Sequence, residues 1–141
     1  MDDIPLVIAS GNEGKIKEFQ KLLEDFPLKL LSQPFGFDVE ETGKTFIENA
    51  RIKAISVSKE TGNLSLADDS GLSVEALGGA PGIYSSRYAK SDKERIEKLL
   101  AELKPFQNRK AKFECALCIA SGDKVLIEVT GFCEGIITFS K

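Results

Sequence analysis

The 141-residue sequence contains no histidine. That absence removes Ser-His-Asp and Cys-His mechanisms and every histidine-ligated metal site. Proton transfer falls instead to carboxylates, lysines, tyrosines or water. Cysteine is scarce: three residues, Cys115, Cys118 and Cys133, an odd count that argues against a disulfide framework. Cys115 and Cys118 form a C-x-x-C, but within the alternating run "AKFECALCIAS" their thiols point to opposite faces of a strand. Cys115 and Cys118 are therefore expected as small buried core residues rather than as a zinc or redox pair. No stretch approaches the run of about 18 apolar residues that a membrane helix needs. The acidic start "MDDIPLVIAS" has the pattern of neither a signal nor a transit peptide, so the expected compartment is the cytoplasm. Positive charge is not in excess either. A net charge of −3 argues against a general nucleic-acid binder, which needs a basic face. It leaves room for a small polyanion held by a divalent metal and a few placed cations.

What is present is ordinary for a globular protein: 42% hydrophobic and 29% charged residues, in a length that suits one domain over residues 1–141. "IPLVIAS" (4–10) reads as a buried strand and "LKLLSQ" (28–33) as a second. Between them Ile16, Phe19, Leu22, Leu23 and Phe26 recur at helical spacing up to Pro27. Thr45 and Glu48 have capping-box spacing and open a helix whose apolar face is Phe46, Ala50, Ala54 and Val57, with Gly62 as its stop. Ser91 and Glu94 repeat the box before Ile96, Leu99, Leu100 and Leu103, and Pro105 closes that helix. "LSLA" (64–67) and "LSVEAL" (72–77) read as separate strands around an acidic turn. "SGD" (121–123) marks a hairpin between "RKAKFECALCIA" and "KVLIEVTGF", with Phe113, Cys115, Leu117 and Ile119 on one face, and "GIITF" (135–139) is a last strand. Strands and helices that interleave and then give way to a β-meander imply an α/β fold with a mixed sheet.

Four segments carry residues suited to chemistry. "SGNEGK" (10–15) joins a strand to a helix, the geometry in which backbone N–H groups and the helix dipole hold phosphate, with Lys15 as a mobile charge. It is not a P-loop, which would need glycine at Ala9 and a hydroxyl residue at Ile16. An ordinary strand–turn–helix with a solvated lysine has the same pattern. In "EETGKTFIENA" (40–50), Glu40 and Glu41 precede a helix N-terminus, where acids also serve the helix dipole. Asn49 and Lys53, four apart, share a face of that helix. In "ADDSG" (67–71), Asp68 and Asp69 would point opposite ways along a strand. Mg²⁺ takes few carboxylates and completes its shell with water and phosphate oxygens, so Glu40 or Glu41 with Asp68 or Asp69 would suit it. In "GIYSSRYA" (82–89), Arg87 suits a phosphate and Tyr84 or Tyr88 a base; packed tyrosines beside a surface arginine would read the same way.

Together, "ASGNEGKIKEF", "EETGKTFIENARIKA", "LADDSGLSVEALGGAPGIYSSRYA" and the F-x-C-x-L strand at Phe113 resemble the inosine/xanthosine triphosphate pyrophosphatase family, from about Leu6 to about Ile137. The resemblance implies an elongated mixed sheet flanked by helices, two lobes with a central cleft, and a cytoplasmic homodimer. It implies Mg²⁺-dependent hydrolysis of ITP, dITP and XTP to the monophosphate and pyrophosphate. By the same resemblance, Ser10, Gly11, Asn12, Glu13, Gly14 and Lys15 would bind the triphosphate, and Glu40 would help ligate Mg²⁺. Asp69 would ligate the metal or activate the attacking water. Ser70 would touch the substrate, with Lys53 and Asp68 in support. The family pattern continues into "GFGYDP" and a later "SHR", which hold the base and phosphates. This chain ends at "GIITFSK", so the resemblance implies a domain lacking its C-terminal segment. Two other readings stand beside it: a related pyrimidine-nucleotide pyrophosphatase, and a catalytically impaired nucleotide-binding or dimerisation module.

Overall fold

A computed structural model describes residues 3–140, the Ser86 side chain excepted. Five strands, β1 (Ile4–Ile8), β2 (Leu28–Ser32), β3 (Leu64–Val74), β4 (Lys110–Ser121) and β5 (Lys124–Ile136), form one sheet in the order β2-β1-β3-β4-β5. β1 runs parallel to β2 and to β3, with Ile8 opposite Ser32 on one side and Leu66 on the other. The parallel pairs are crossed over by helices α1 (Glu13–Leu22) and α2 (Phe46–Thr61), as parallel pairing requires. β4 and β5 are joined by Gly122 and Asp123 alone, a hairpin in which Gly122 takes a φ of 60°. The sheet is therefore mixed and the fold α/β, as the element order implied.

Contacts divide the chain into two compact units. The first runs up to Asp69 and includes Ala116–Val129; the second comprises Ser70–Cys115 and the chain from Thr130. In the first unit Leu6, Ile8 and Leu66 form a buried cluster, against which Ile16, Phe19 and Leu23 pack from the α1 side. Their spacing, three and then four, is one face of a helix. Leu22 and Phe26 are exposed: α1 ends at Leu22, so Phe26 is no longer on its face. Val7, between Leu6 and Ile8, is buried on the opposite side of β1. α2 contacts β1 and contributes the fully buried Ala50, Ala54 and Val57.

Both capping boxes form. Thr45 Oγ1 accepts the Glu48 N–H at 3.2 Å and Ser91 Oγ accepts that of Glu94 at 3.2 Å. In each, the glutamate reaches back one residue beyond the cap, to the N–H of Lys44 (2.7 Å) and of Lys90 (3.1 Å). Gly62 ends α2 in the left-handed region with φ 71°, as a C-cap glycine does.

The second unit holds α3 (Asp92–Leu103), two short 3₁₀ segments, Glu75–Leu77 and Gly82–Arg87, and the distal parts of β3, β4 and β5. Leu103 is fully buried there, but Ile96 is exposed, so the α3 stripe is covered at one end only. Ile137 N–H donates to Arg109 O at 2.8 Å and the Arg109 guanidinium lies 4.1 Å from the centre of the Phe139 ring.

Several sequence expectations need correction. β3 is one continuous strand through the two acids, not two strands around a turn, because each acid finds its own partners on its own side. β5 likewise continues through Gly131 to Ile136, so there is no separate strand over residues 135–139. On β4 the fully buried positions are Ala116, Cys118 and Ala120, while Leu117 and Ile119 pack on the cluster above and Phe113 is 51% exposed. Leu117 and Ile119 thus share a face, as expected, and burial alternates along this stretch; of that face only Phe113 is exposed. Of the expected core cysteines, Cys118 is buried but Cys115 only half-buried; Cys133 is exposed.

Candidate active site

β1 ends at Ile8, level with Leu66 of β3, and Ala9 N–H donates to Leu66 O at 2.8 Å. β3 therefore runs on past the end of β1. After Ala67, Asp68 and Asp69 stand beside the loop that leaves β1 for α1. The carboxyl end of parallel strands is where open α/β sheets place ligands. Asp68 is 7% and Asp69 8% exposed, so neither is a solvated surface acid.

The two acids diverge as strand alternation requires. Asp68 takes Lys15 of α1, whose Nζ lies 3.1 and 3.4 Å from its two oxygens. Asp69 faces α2, where Asn49 and Lys53 both favour its charged form. Burial pushes the Asp69 pKa above the usual carboxylate range. Lys53 opposes that shift, Glu41 reinforces it, and Asn49 and Lys15 lower it again. Asp69 Oδ2 is buried with no hydrogen-bond partner, unusual for a carboxylate oxygen out of water. Lys53 Nζ lies 3.3 Å from Glu41 Oε1, so Glu41, Lys53, Asn49 and Asp69 form one cluster within the first unit.

The Ser10–Lys15 loop is built around Asn12. Its Oδ1 accepts the N–H groups of Gly14 (2.9 Å) and Lys15 (3.3 Å), and its own N–H donates to Ser10 Oγ at 3.0 Å. Asn12 is thus the N-cap of α1, and two amides expected to be open to phosphate are engaged by that cap. Gly11 and Glu13 are exposed in the same loop.

Glu40, the expected metal ligand, is exposed; it is Glu41 that adjoins Lys53 and Asp69. Among the described residues no three Asp, Glu or Cys side chains converge on one point. Ser70, next along β3, is half-buried and opens the second unit. Arg87 and Tyr84 are exposed there. Tyr88 carries the Lys98 ammonium 4.2 Å over its ring. Burial and Glu102 push its hydroxyl pKa up to about 12, so Tyr88 is a packed residue. Gly43 escaped the sequence reading as a site residue. Its signal, a glycine between a loop acid and a cap, is common to ordinary turns.

These features define an α/β protein with a carboxylate- and lysine-rich site at the ends of its parallel strands. Solved structures share the fold. A HAM1 protein from Coxiella burnetii matches with a TM-score of 0.87 at 41% identity, over 97% of this chain and 74% of that one. The Staphylococcus aureus Ham1 protein matches at 0.86 and 42%, over 97% and 73%. Among curated proteins, a dITP/XTP pyrophosphatase from Prochlorococcus marinus (strain NATL1A) is 84% identical over 139 residues, 99% of this chain and 71% of that protein. The Ham1 family model matches residues 6–141, and the chain belongs to the Ham1 family.

Proposed function

We infer that the protein is a nucleoside triphosphate pyrophosphatase that converts dITP, ITP and XTP to the monophosphate and pyrophosphate. The observation that carries this reading is the buried Asp69, with one oxygen unpartnered beside Glu41 and Lys53, in a chain 84% identical to a dITP/XTP pyrophosphatase. The names of such relatives favour deaminated purines over the pyrimidine reading. High identity through the site segments disfavours an inert binding module.

In this reading water attacks the α-phosphorus. The new P–O bond forms as the bond to the pyrophosphate oxygen breaks, and Asp69 takes the water's proton. Lys15 exchanges part of its contact with Asp68 for the leaving pyrophosphate, beside the Ser10–Lys15 loop. Asp68 keeps that ammonium positioned, and Lys53 holds Glu41 against Asp69. The orphaned Asp69 oxygen fits a divalent cation such as Mg²⁺, which takes few carboxylates and keeps water and phosphate ligands. Asp69 and Glu41 would hold it, Glu41 having the better claim than the exposed Glu40. When bound, the cation supplies neutralisation of phosphate charge.

Among the described residues no helix is long and apolar enough to cross a membrane. We place the enzyme in the cytoplasm, where it would meet the nucleotide pool, as a homodimer, with residues 1–141 as one catalytic domain that matches 71% of the Prochlorococcus relative. The test is product analysis. Incubation of dITP with Mg²⁺ gives dIMP and pyrophosphate in equal amounts; release of orthophosphate instead contradicts the reading.

A further inference from the structure

We propose that Asn49 is a positioning residue that sets the spacing between the Glu41 loop and Asp69. The proposal rests on the functional reading above and names a residue that acts through others, without touching substrate. Asn49 sits in the first turns of α2 and is 1% exposed. Its Oδ1 accepts the Gly43 N–H at 2.8 Å. A carboxamide has one acceptor end and one donor end; with Oδ1 held by Gly43, the NH₂ end is left to favour the charged form of Asp69 beside it. One side chain thereby holds a backbone N–H of the acidic loop and adjoins the strand acid. Neither an aliphatic nor an acidic side chain can both hold that N–H and favour the charged acid.

Gly43 is fitted to the same bond. A Cβ at that position would stand 2.6 Å from Asn49 Oδ1, 2.7 Å from Glu48 Cβ and 3.1 Å from Asn49 N. Only a residue without a side chain lets the turn come this close. Glu41 lies two residues before the pinned amide, and Lys53 lies one turn beyond Asn49. Their ion pair at 3.3 Å closes the circuit. Asn49 adjoins Asp69 while Oδ2 is left without a protein partner, so the pin leaves that oxygen open.

Two variants test this from opposite ends of the bond: Asn49→Leu, which keeps the volume and removes both contacts, and Gly43→Ala, which leaves Asn49 in place and displaces its backbone partner. With dITP and saturating Mg²⁺, kcat is expected to fall about 10- to 100-fold in each, as for other residues that orient a site's ligands. The dITP KM should move less than about threefold, since no substrate contact is removed. Without nucleotide, the Mg²⁺ concentration that half-saturates the rise in melting temperature should increase about tenfold. Wild-type protein that does not release pyrophosphate from dITP refutes the functional reading itself. Wild-type turnover together with unchanged kcat and Mg²⁺ response in both variants overturns the proposal alone. So does a lower melting temperature as the only change, which would make Asn49 a structural residue.

Discussion

Asp69 is the residue on which chemistry and stability pull in opposite directions. Its burial raises the pKa, so the charged form costs the folded state stability at every pH above that pKa. The penalty shrinks as pH falls through the folded pKa toward the ordinary carboxylate range, because the folded state then binds the proton more readily than the unfolded chain. In metal-free buffer, Asp69→Asn should melt at or above wild type at pH 7.5, with the gap narrowing as the buffer is acidified. Thermal melts at several pH values measure this. The same substitution should lower turnover by about 10²- to 10⁴-fold, the usual worth of a general base. Lys15→Met removes the cation held by Asp68 and should weaken dITP binding about 10- to 100-fold, as loss of a charge-assisted contact does; a KM series reads it. The sequence made both acids and Lys15 visible as candidates. It did not show that Lys15 and Asp68, 53 positions apart, are partners, because only the parallel register of β1 and β3 brings them together. Likewise, no spacing rule could tell which of the adjacent Glu40 and Glu41 pairs with Lys53; in the structure it is Glu41.

Helix ends were the most legible elements, since capping is local chemistry. Thr45 with Glu48, Ser91 with Glu94 and Gly62 each stand where the pattern placed them. Thr45→Ala should therefore cost about 1 kcal/mol. The melting temperature would drop by about 2–8 °C, whereas Thr45→Ser should leave it close to wild type. Since α2 carries both Asn49 and Lys53, fraying at Thr45 should also lower kcat, which a paired melt and rate measurement would reveal. Strands were less legible where composition imitates a turn. "DDSG" and "TGFCEG" look like breaks, yet β3 and β5 run through them. In β3 the reason is tertiary: Lys15 serves one acid, Asn49 and Lys53 the other, and the extended backbone separates them. β4 kept its alternation between Ala116 and Ala120, although both of its sides are covered there.

For the molecule as a whole, the order of strands and helices implied an α/β fold with a mixed sheet, and the five-stranded arrangement agrees. What element order could not supply was the division into two compact units within continuous strands, since contacts between distant segments decide it. The site proposed here draws its acids, lysines and Asn49 from the first unit. Its central claim is that Asp69, beside Glu41 and Lys53, drives pyrophosphate release from deaminated purine nucleotides. The direct measurement is pyrophosphate release from dITP, XTP and ATP with Mg²⁺, by wild type and Asp69→Asn side by side. The account predicts release from dITP and XTP well above that from ATP, and none above background from the variant. Equal rates on all three nucleotides, or a variant as fast as wild type, would contradict it.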